Sequence, residues 1–340
     1  MGLTVIIVNW NSKDYLKGCL DSLVEGNAGY FSQVVVVDSG SADGCKEMLE
    51  SGYPWVELVE LKENVGFATA NNIGFRMAKG DKVLLLNPDT VMTSGSLGIL
   101  AEAIEHLPRV GIVGPRILNS DGSLQSSCVQ AFPNPLNQAL DANLLRTLFP
   151  KLGLWGNHRA FSNSEATEVD SVSGACMLIK SDVYRELGGL RGDYFMYAED
   201  IDICLRAKRA GLKVYHVPSA TVIHYGGGSS SIRGRGFKSV MARASMERFM
   251  QLNYGKQEAM AYRVLQGWSA LVRLSIILPL FITSRRNARS RIKAAWEKWL
   301  AILQWATGIK NVYLPGSVAL NSPFACENQN MSQIHRIDSK

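Results

Sequence analysis

Four aliphatic runs dominate the first ninety residues: LTVIIVNW (3–10), QVVVVDSG (33–40), VELVEL (56–61) and KVLLLNPD (82–89). They do not alternate with polar residues, so each strand must be covered on both faces. That is the position of a parallel strand between two helix layers. Helical stretches separate the runs. One passes through Leu16, Leu20 and Leu23, a short one lies around Cys45–Leu49, and GFATANNIGFRMAKG (66–80) closes at Gly80. The βαβαβαβ order predicts an α/β fold, a mostly parallel, doubly wound sheet with right-handed crossovers.

The later chain is mixed. VGIVGPRIL (110–118) reads as a strand, NSDGSL (119–124) as a turn, and SGACMLIKSDVYRELGG (173–189) as a strand entering a helix. Residues 125–168, rich in Pro, Asn and Ser, are expected to form an irregular flap. KVYHV and ATVIHY read as a pair of strands, and the chain past Lys238 as helical to about Gly308.

Ligands in open α/β sheets bind at the carboxyl ends of the strands. Here those ends carry Asn9 and Asn11, then Asp38, then Asn64 and Gly66, then Asn87 and Asp89. Any one of them could be ordinary loop chemistry, but four coincident polar ends point to a binding rim. Asp38 suits the N–H of a nucleotide base, and Asp89 suits Mg²⁺ or Mn²⁺ shared with substrate phosphates. No GxxxxGK[ST] is present and no GxGxxG follows the first strand, which excludes a P-loop NTPase and argues against a dinucleotide-binding domain. Downstream, YAEDIDICLRAKRAG (197–211) sets Glu199, Asp200 and Asp202 at a helix start. Helix capping explains some of this acidity, but not the apolar YFMYA that leads into it. The helix dipole predicts an ionised Asp200, suited to act as a base.

The ordered set VIIVNWN, VVVVDSGSADG, ENVGFATANNIG, LLLNPDT, SGACMLIK, YAEDIDICLRAKRAG and VIHYGGGS resembles the family 2 inverting glycosyltransferases of GT-A fold. It is closest to the rhamnosyltransferase-like branch that builds bacterial O-antigen, capsule and cell-wall polysaccharides. The resemblance covers about residues 1–250. It implies that Asp38 contacts the base, that Asp89 is the last aspartate of the metal-binding DxD motif, that Asp200 is the catalytic base, and that His224 completes the metal shell. Asn87 stands where that motif has its first aspartate, so the site carries less negative charge than the pattern. Glu199 and Asp202 read as orienting or capping neighbours of the base. GGGSSSIRGRG (226–236) offers Arg233 and Arg235 on a glycine-rich loop that could close over a diphosphate. The donor implied is a dTDP- or UDP-sugar, with L-rhamnose from dTDP-L-rhamnose first, and the acceptor a lipid-linked glycan. A nucleotidyltransferase and a non-catalytic sugar-nucleotide-binding subunit are the competing readings.

Charge divides the chain. Lys256–Lys310 holds ten basic and two acidic residues in a protein of net charge +6, so the remainder is slightly acidic. VLQGWSALVRLSIILPLFI (264–282) is broken by Gly267, Arg273 and Pro279 and makes a poor membrane span. With the basic stretch after it, it reads as a segment lying on an anionic membrane. The expected organisation is a catalytic domain over 1–250 (nucleotide-binding half 1–110, acceptor half 111–250), a membrane-associating helical part over 251–310, and a polar tail over 311–340. Six cysteines without a CxxC pair and an opening that reads as strand suggest a cytoplasmic protein, peripheral at the inner face of the plasma membrane. No nucleic acid partner is expected.

Overall fold

A computed structural model describes residues 2–140, 163–226, 235–283 and 286–309. The four aliphatic runs become β1 (Leu3–Asn9), β2 (Gln33–Asp38), β3 (Val56–Glu60) and β4 (Lys82–Leu86). They are joined through α1 (Lys13–Asn27), α2 (Cys45–Gly52) and α3 (Phe67–Met77). All four strands are parallel, in the order β3-β2-β1-β4. Neighbouring β1 side chains serve opposite layers. Val5 and Ile7 pack with Leu16, Leu20 and Leu23 of α1, while Ile6 packs with Phe75 of α3. Both faces are therefore apolar, as the uninterrupted sequence runs require.

Past β4 come β5 (Thr90–Met92), α4 (Ser96–His106) and β6 (Val110–Leu118). The short strands β7 (Val129–Gln130), β8 (Thr167–Val169) and β9 (Ser171–Val172) and helix α5 (Pro135–Leu140) follow. Next are β10 (Cys176–Lys180), α6 (Ser181–Glu186), α7 (Glu199–Arg209) and β11 (Lys213–His224). Among the described residues the main sheet runs β3-β2-β1-β4-β10-β6-β11-β5, with β8 added on β11. Six of its nine strands are parallel, and β10, β5 and β8 run against them.

Two expectations change, and one strand is new. The two strands read at 213–224 are one: Pro218 lacks an amide hydrogen, and the pairing to β6 slips between Val217 and Thr221, then resumes. The expected irregular stretch 125–168 contains α5, β7 and β8, and its part from 141 to 162 lies outside the described residues. The three-residue β5 has no sequence signal.

The C-terminal helices α8 (Arg235–Asn253), α9 (Lys256–Thr283) and α10 (Arg286–Ala306) match the expected helical region. They share one apolar cluster with Tyr194 and with Ile201 and Leu205 of α7, built from Val240, Phe249, Tyr262, Ile302 and Trp305.

Asn72, buried on α3, ties the first half of the chain to the later half. Its Nδ2 donates to Leu190 O (2.7 Å), and its Oδ1 accepts from Tyr184 Oη (2.7 Å) and Leu190 N (3.0 Å). An Asn72→Ala variant leaves a buried hydroxyl and two backbone groups unmatched, so its unfolding free energy should fall by about 3 kcal/mol. Urea denaturation measures this, and a loss under about 1 kcal/mol would remove Asn72 from this role.

Candidate active site

The parallel strands end at one edge, and a cleft of about 420 Å³ opens there, within the range of small-molecule sites. Each wall comes from a chain turn at that edge. β1 supplies Trp10, β2 supplies Ser39, and β4 supplies Asn87, Pro88 and Asp89. β10 runs the other way and begins at the same edge, so Ser173, Gly174 and Ala175 join the floor, with Asn87 N donating to Ala175 O (2.9 Å). His224 stands at the end of β11, registered opposite Thr90. Glu199 and Asp200 open α7, and Ala242 and Met246 of α8 close the far side.

Two glycines permit this approach of segments. Gly66 has φ +83°, and a Cβ there would lie 2.6 Å from Phe195 O, the atom that accepts from Phe67 N. A Cβ on Gly174 would lie 3.1 Å from Asp200 Cβ. Asn64 Oδ1 accepts from Gly66 N (3.0 Å) and fixes the turn into α3. Just ahead of α7, Tyr197 and Ala198 both adopt left-handed backbone (φ 73° and 72°). Such conformations cost of order 1–3 kcal/mol each and persist where surrounding structure imposes them.

Asp200 is half-buried. Its Oδ2 accepts from Gly174 N (2.9 Å) and its Oδ1 from Ile201 N (2.8 Å). Burial nevertheless pushes its carboxyl above the ordinary range, and these backbone donors offset only part of that. This is the opposite direction to the lowering by the helix dipole that the sequence suggests. Burial, with the neighbouring Asp200 charge, pushes Glu199 well above the carboxylate range.

Asp202 lies elsewhere. Two residues along a helix rotate a side chain by about 200°, which turns Asp202 from the cleft into full burial. Its oxygens meet Arg206 Nε (2.7 Å), Arg191 Nη1 (3.1 Å), Tyr194 Oη (3.1 Å) and Asn253 Nδ2 (2.9 Å). It pins α7 to the end of α8.

Asn9, Asn11 and Asp38 form a second cluster beside the cleft. Asp38 accepts from Asn9 Nδ2 (2.9 Å), Ser41 Oγ (2.6 Å) and Ser41 N (3.0 Å), and Asn11 Oδ1 accepts from Ala42 N (2.9 Å). Arg233 lies outside the described residues, and Arg235 begins α8.

Asp89 and His224 come together, Oδ1 to Nε2, at 3.2 Å, with Asn87 Nδ2 3.4 Å from the same nitrogen. Asn87 Oδ1, Ser39 Oγ, Asn9 Oδ1 and Glu199 Oε2 are buried with no hydrogen-bond partner. Such atoms are rare in folded proteins, and three of these four residues line the cleft. The carboxylate, the imidazole and the spare amide oxygen fit a hard divalent cation. Among the described residues no third His, Cys, Asp or Glu joins them, so further ligands would be substrate oxygens. Ser39, Ser173 and Tyr197 lie inside stretches that the sequence singles out but without a role of their own, and Met246 of α8 escaped sequence reading.

The profile of the family described as Glycosyl transferase family 2 matches residues 4–188, more than half of the chain. The N-acetylglucosaminyl-diphospho-decaprenol L-rhamnosyltransferase of Mycobacterium tuberculosis (strain ATCC 25618 / H37Rv) is 29% identical over 315 residues, covering 89% of this chain and 98% of that protein. Rhamnosyltransferase WbbL of Escherichia coli (strain K12) is 28% identical over 232 residues, 65% of this chain and 82% of its own. Among solved structures, the mannosyltransferase PcManGT from Pyrobaculum calidifontis, in complex with GDP-Man and Mn²⁺, aligns with a TM-score of 0.56 at 19% identity, over 92% of this chain and 87% of that one. At that identity the likeness is one of fold.

Glu199 yields a pH prediction. A carboxyl whose folded pKa is raised stabilises the protein below its unfolded pKa near 4.3, and loses that contribution as pH rises through the folded value. Glu199→Gln keeps the shape and removes the ionisation. Relative to wild type, the variant should gain stability as pH rises from 4 to 8, followed by urea denaturation. A difference that stays flat with pH would show that Glu199 ionises in the fold as it does in water.

Proposed function

The chain belongs to glycosyl transferase family 2, and from that premise we propose that it transfers L-rhamnose, with inversion, from dTDP-L-rhamnose to a hydroxyl of a lipid-linked glycan in cell-surface polysaccharide synthesis. The observation that carries the reading is one cleft that holds Asp200 on its α7 wall and the Asp89–His224 pair at the ends of β4 and β11. The two relatives named rhamnosyltransferases favour this sugar, and the printed acceptor of the mycobacterial one favours a polyprenyl-diphosphate glycan.

Asp200 takes the proton of the acceptor hydroxyl as its oxygen bonds to the anomeric carbon. The bond from that carbon to the nucleoside diphosphate breaks, and the pair of electrons leaves with the phosphate. A single displacement needs one base and no covalent nucleophile. The backbone donors of Gly174 and Ile201 hold the Asp200 carboxylate in position. Asp89, His224 and the Asn87 amide oxygen would hold Mg²⁺ or Mn²⁺, whose charge offsets that of the leaving diphosphate when bound. Ser39 and the Asn9–Asp38–Asn11 cluster are proposed for the base and ribose, and Asn64 and Gly66 for the rest of the donor. Arg233 and Arg235 are proposed for the diphosphate.

We also assign the enzyme a peripheral place on the cytoplasmic face of the plasma membrane. Among the described residues no helix is long and apolar enough to cross a membrane. One face of α9 instead exposes Met260, Val264, Trp268, Leu271, Val272 and Ile276 at steps of three and four. Its opposite face buries Ala259, Tyr262, Gln266 and Ala270. An apolar stripe with a central tryptophan, inside a segment of ten basic and two acidic residues, suits an anionic lipid surface.

Replacing Asp200 by Asn should lower kcat by about 10²–10⁴-fold with dTDP affinity retained, and turnover near wild type would exclude Asp200 as base. In wild type the acidic limb of kcat/KM should lie above the ordinary aspartate value near 3.9. A double Val264→Ser, Trp268→Ser variant should lose co-flotation with phosphatidylglycerol-containing vesicles while its melting curve is retained. Unchanged flotation would rule out this face as the lipid contact.

A further inference from the structure

Hydrogen bonds in the loop after β6 all point one way. Asp121, whose carboxyl the Ser123 hydroxyl and amide hold below the usual carboxylate range, can only accept. Ser123 Oγ donates to Asp121 Oδ1 and so accepts from Asn119 Nδ2 (2.9 Å). That places the Asn119 carbonyl toward Gln125, whose Nε2 donates to Asn119 Oδ1 (3.1 Å). The Gln125 carbonyl is then left for His224, with Oε1 2.8 Å from Nδ1. Only a protonated Nδ1 makes that contact favourable. The loop backbone is equally constrained: Asn119 N donates to Ser123 O (2.8 Å), Gly122 N to Asn119 O (2.9 Å) and Gln125 N to Ile117 O (2.9 Å).

With the proton on Nδ1, neutral His224 presents a lone pair at Nε2. That lone pair faces two groups: Asn87 Nδ2, a donor 3.4 Å away, and Asp89 Oδ1, an acceptor 3.2 Å away. A proton on Nε2, or a cation held between the two atoms, makes that contact favourable.

We propose that Gln125 is a positioning residue of the cation site: it accepts the His224 Nδ1 proton and thereby fixes the tautomer whose Nε2 lone pair is turned to Asp89. This rests on the reading of Asp89 and His224 as cation ligands. Gln125 itself touches neither reacting atoms nor cation. It acts by removing the competing tautomer, in which Nε2 would carry the hydrogen and be closed to a metal. Second-shell partners of this kind are typically worth 10–100-fold in metal affinity.

The test uses the full chain with Mn²⁺ alone and Mn²⁺ with dTDP, followed by electron paramagnetic resonance, and nitrogen-15 NMR of labelled histidine to report the His224 tautomer without metal. Gln125→Leu should weaken Mn²⁺ binding at least about tenfold and convert the single Nδ1–H tautomer of His224 into a mixture. Gln125→Glu, which still accepts, should keep both the tautomer and the affinity, and it guards against a Leu variant that fails to fold. Equal Mn²⁺ affinity in wild type and Gln125→Leu, with His224 unchanged, would overturn the role of Gln125. Absence of Mn²⁺ binding by wild type while the tautomer still responds to Gln125 would instead overturn the cation site on which the inference rests.

Discussion

The site depends on the parallel register of β1 with β2 and β4. Asn9 sits opposite Asp38, and Ile7 opposite Leu86, so three strands run out of apolar residues within about one residue of one another. Their polar ends reach the same edge because their aliphatic segments have matched lengths. A slip of one residue would turn every valine of β2 to the other layer. The burial that stabilises the sheet also fixes where its functional rim lies.

Burial then sets the electrostatics of that rim. Asp202 is fully buried with two guanidiniums, a phenol and an amide, whereas Glu199 is buried against the like charge of Asp200. Three acids within four positions thus face three environments. Which one can exchange a proton with a ligand follows from what surrounds each, not from their shared place at a helix start.

The strands and major helices were legible because each carries its own signal: unbroken valines, leucines at three- and four-residue steps, a closing glycine. The rim was legible for the same reason, since every strand end is local in sequence. What stayed hidden was long-range. β5 is three residues long, and its partner β11 lies some 130 positions later. Pro218 made one strand look like two. Gln125 meets His224 across 99 positions and opens a stretch that reads as an irregular flap. Asp202 read as a neighbour of Asp200, but the four partners that bury it come from Arg191, Tyr194, Arg206 and Asn253, most of them outside its local sequence.

The contact of Asp202 with Asn253, together with the apolar cluster common to α7 and α8–α10, has a mechanical consequence. The helix that presents Asp200 to the cleft is clamped from behind by the same helices that bear the exposed stripe of α9. A force or tilt imposed on that stripe is delivered to the start of α7 without passing through the sheet. The polar rim built on β1, β2 and β4 stays out of that path. Seating the protein on a surface through that stripe would therefore move the Asp200 wall of the cleft while leaving the wall built on the sheet in place.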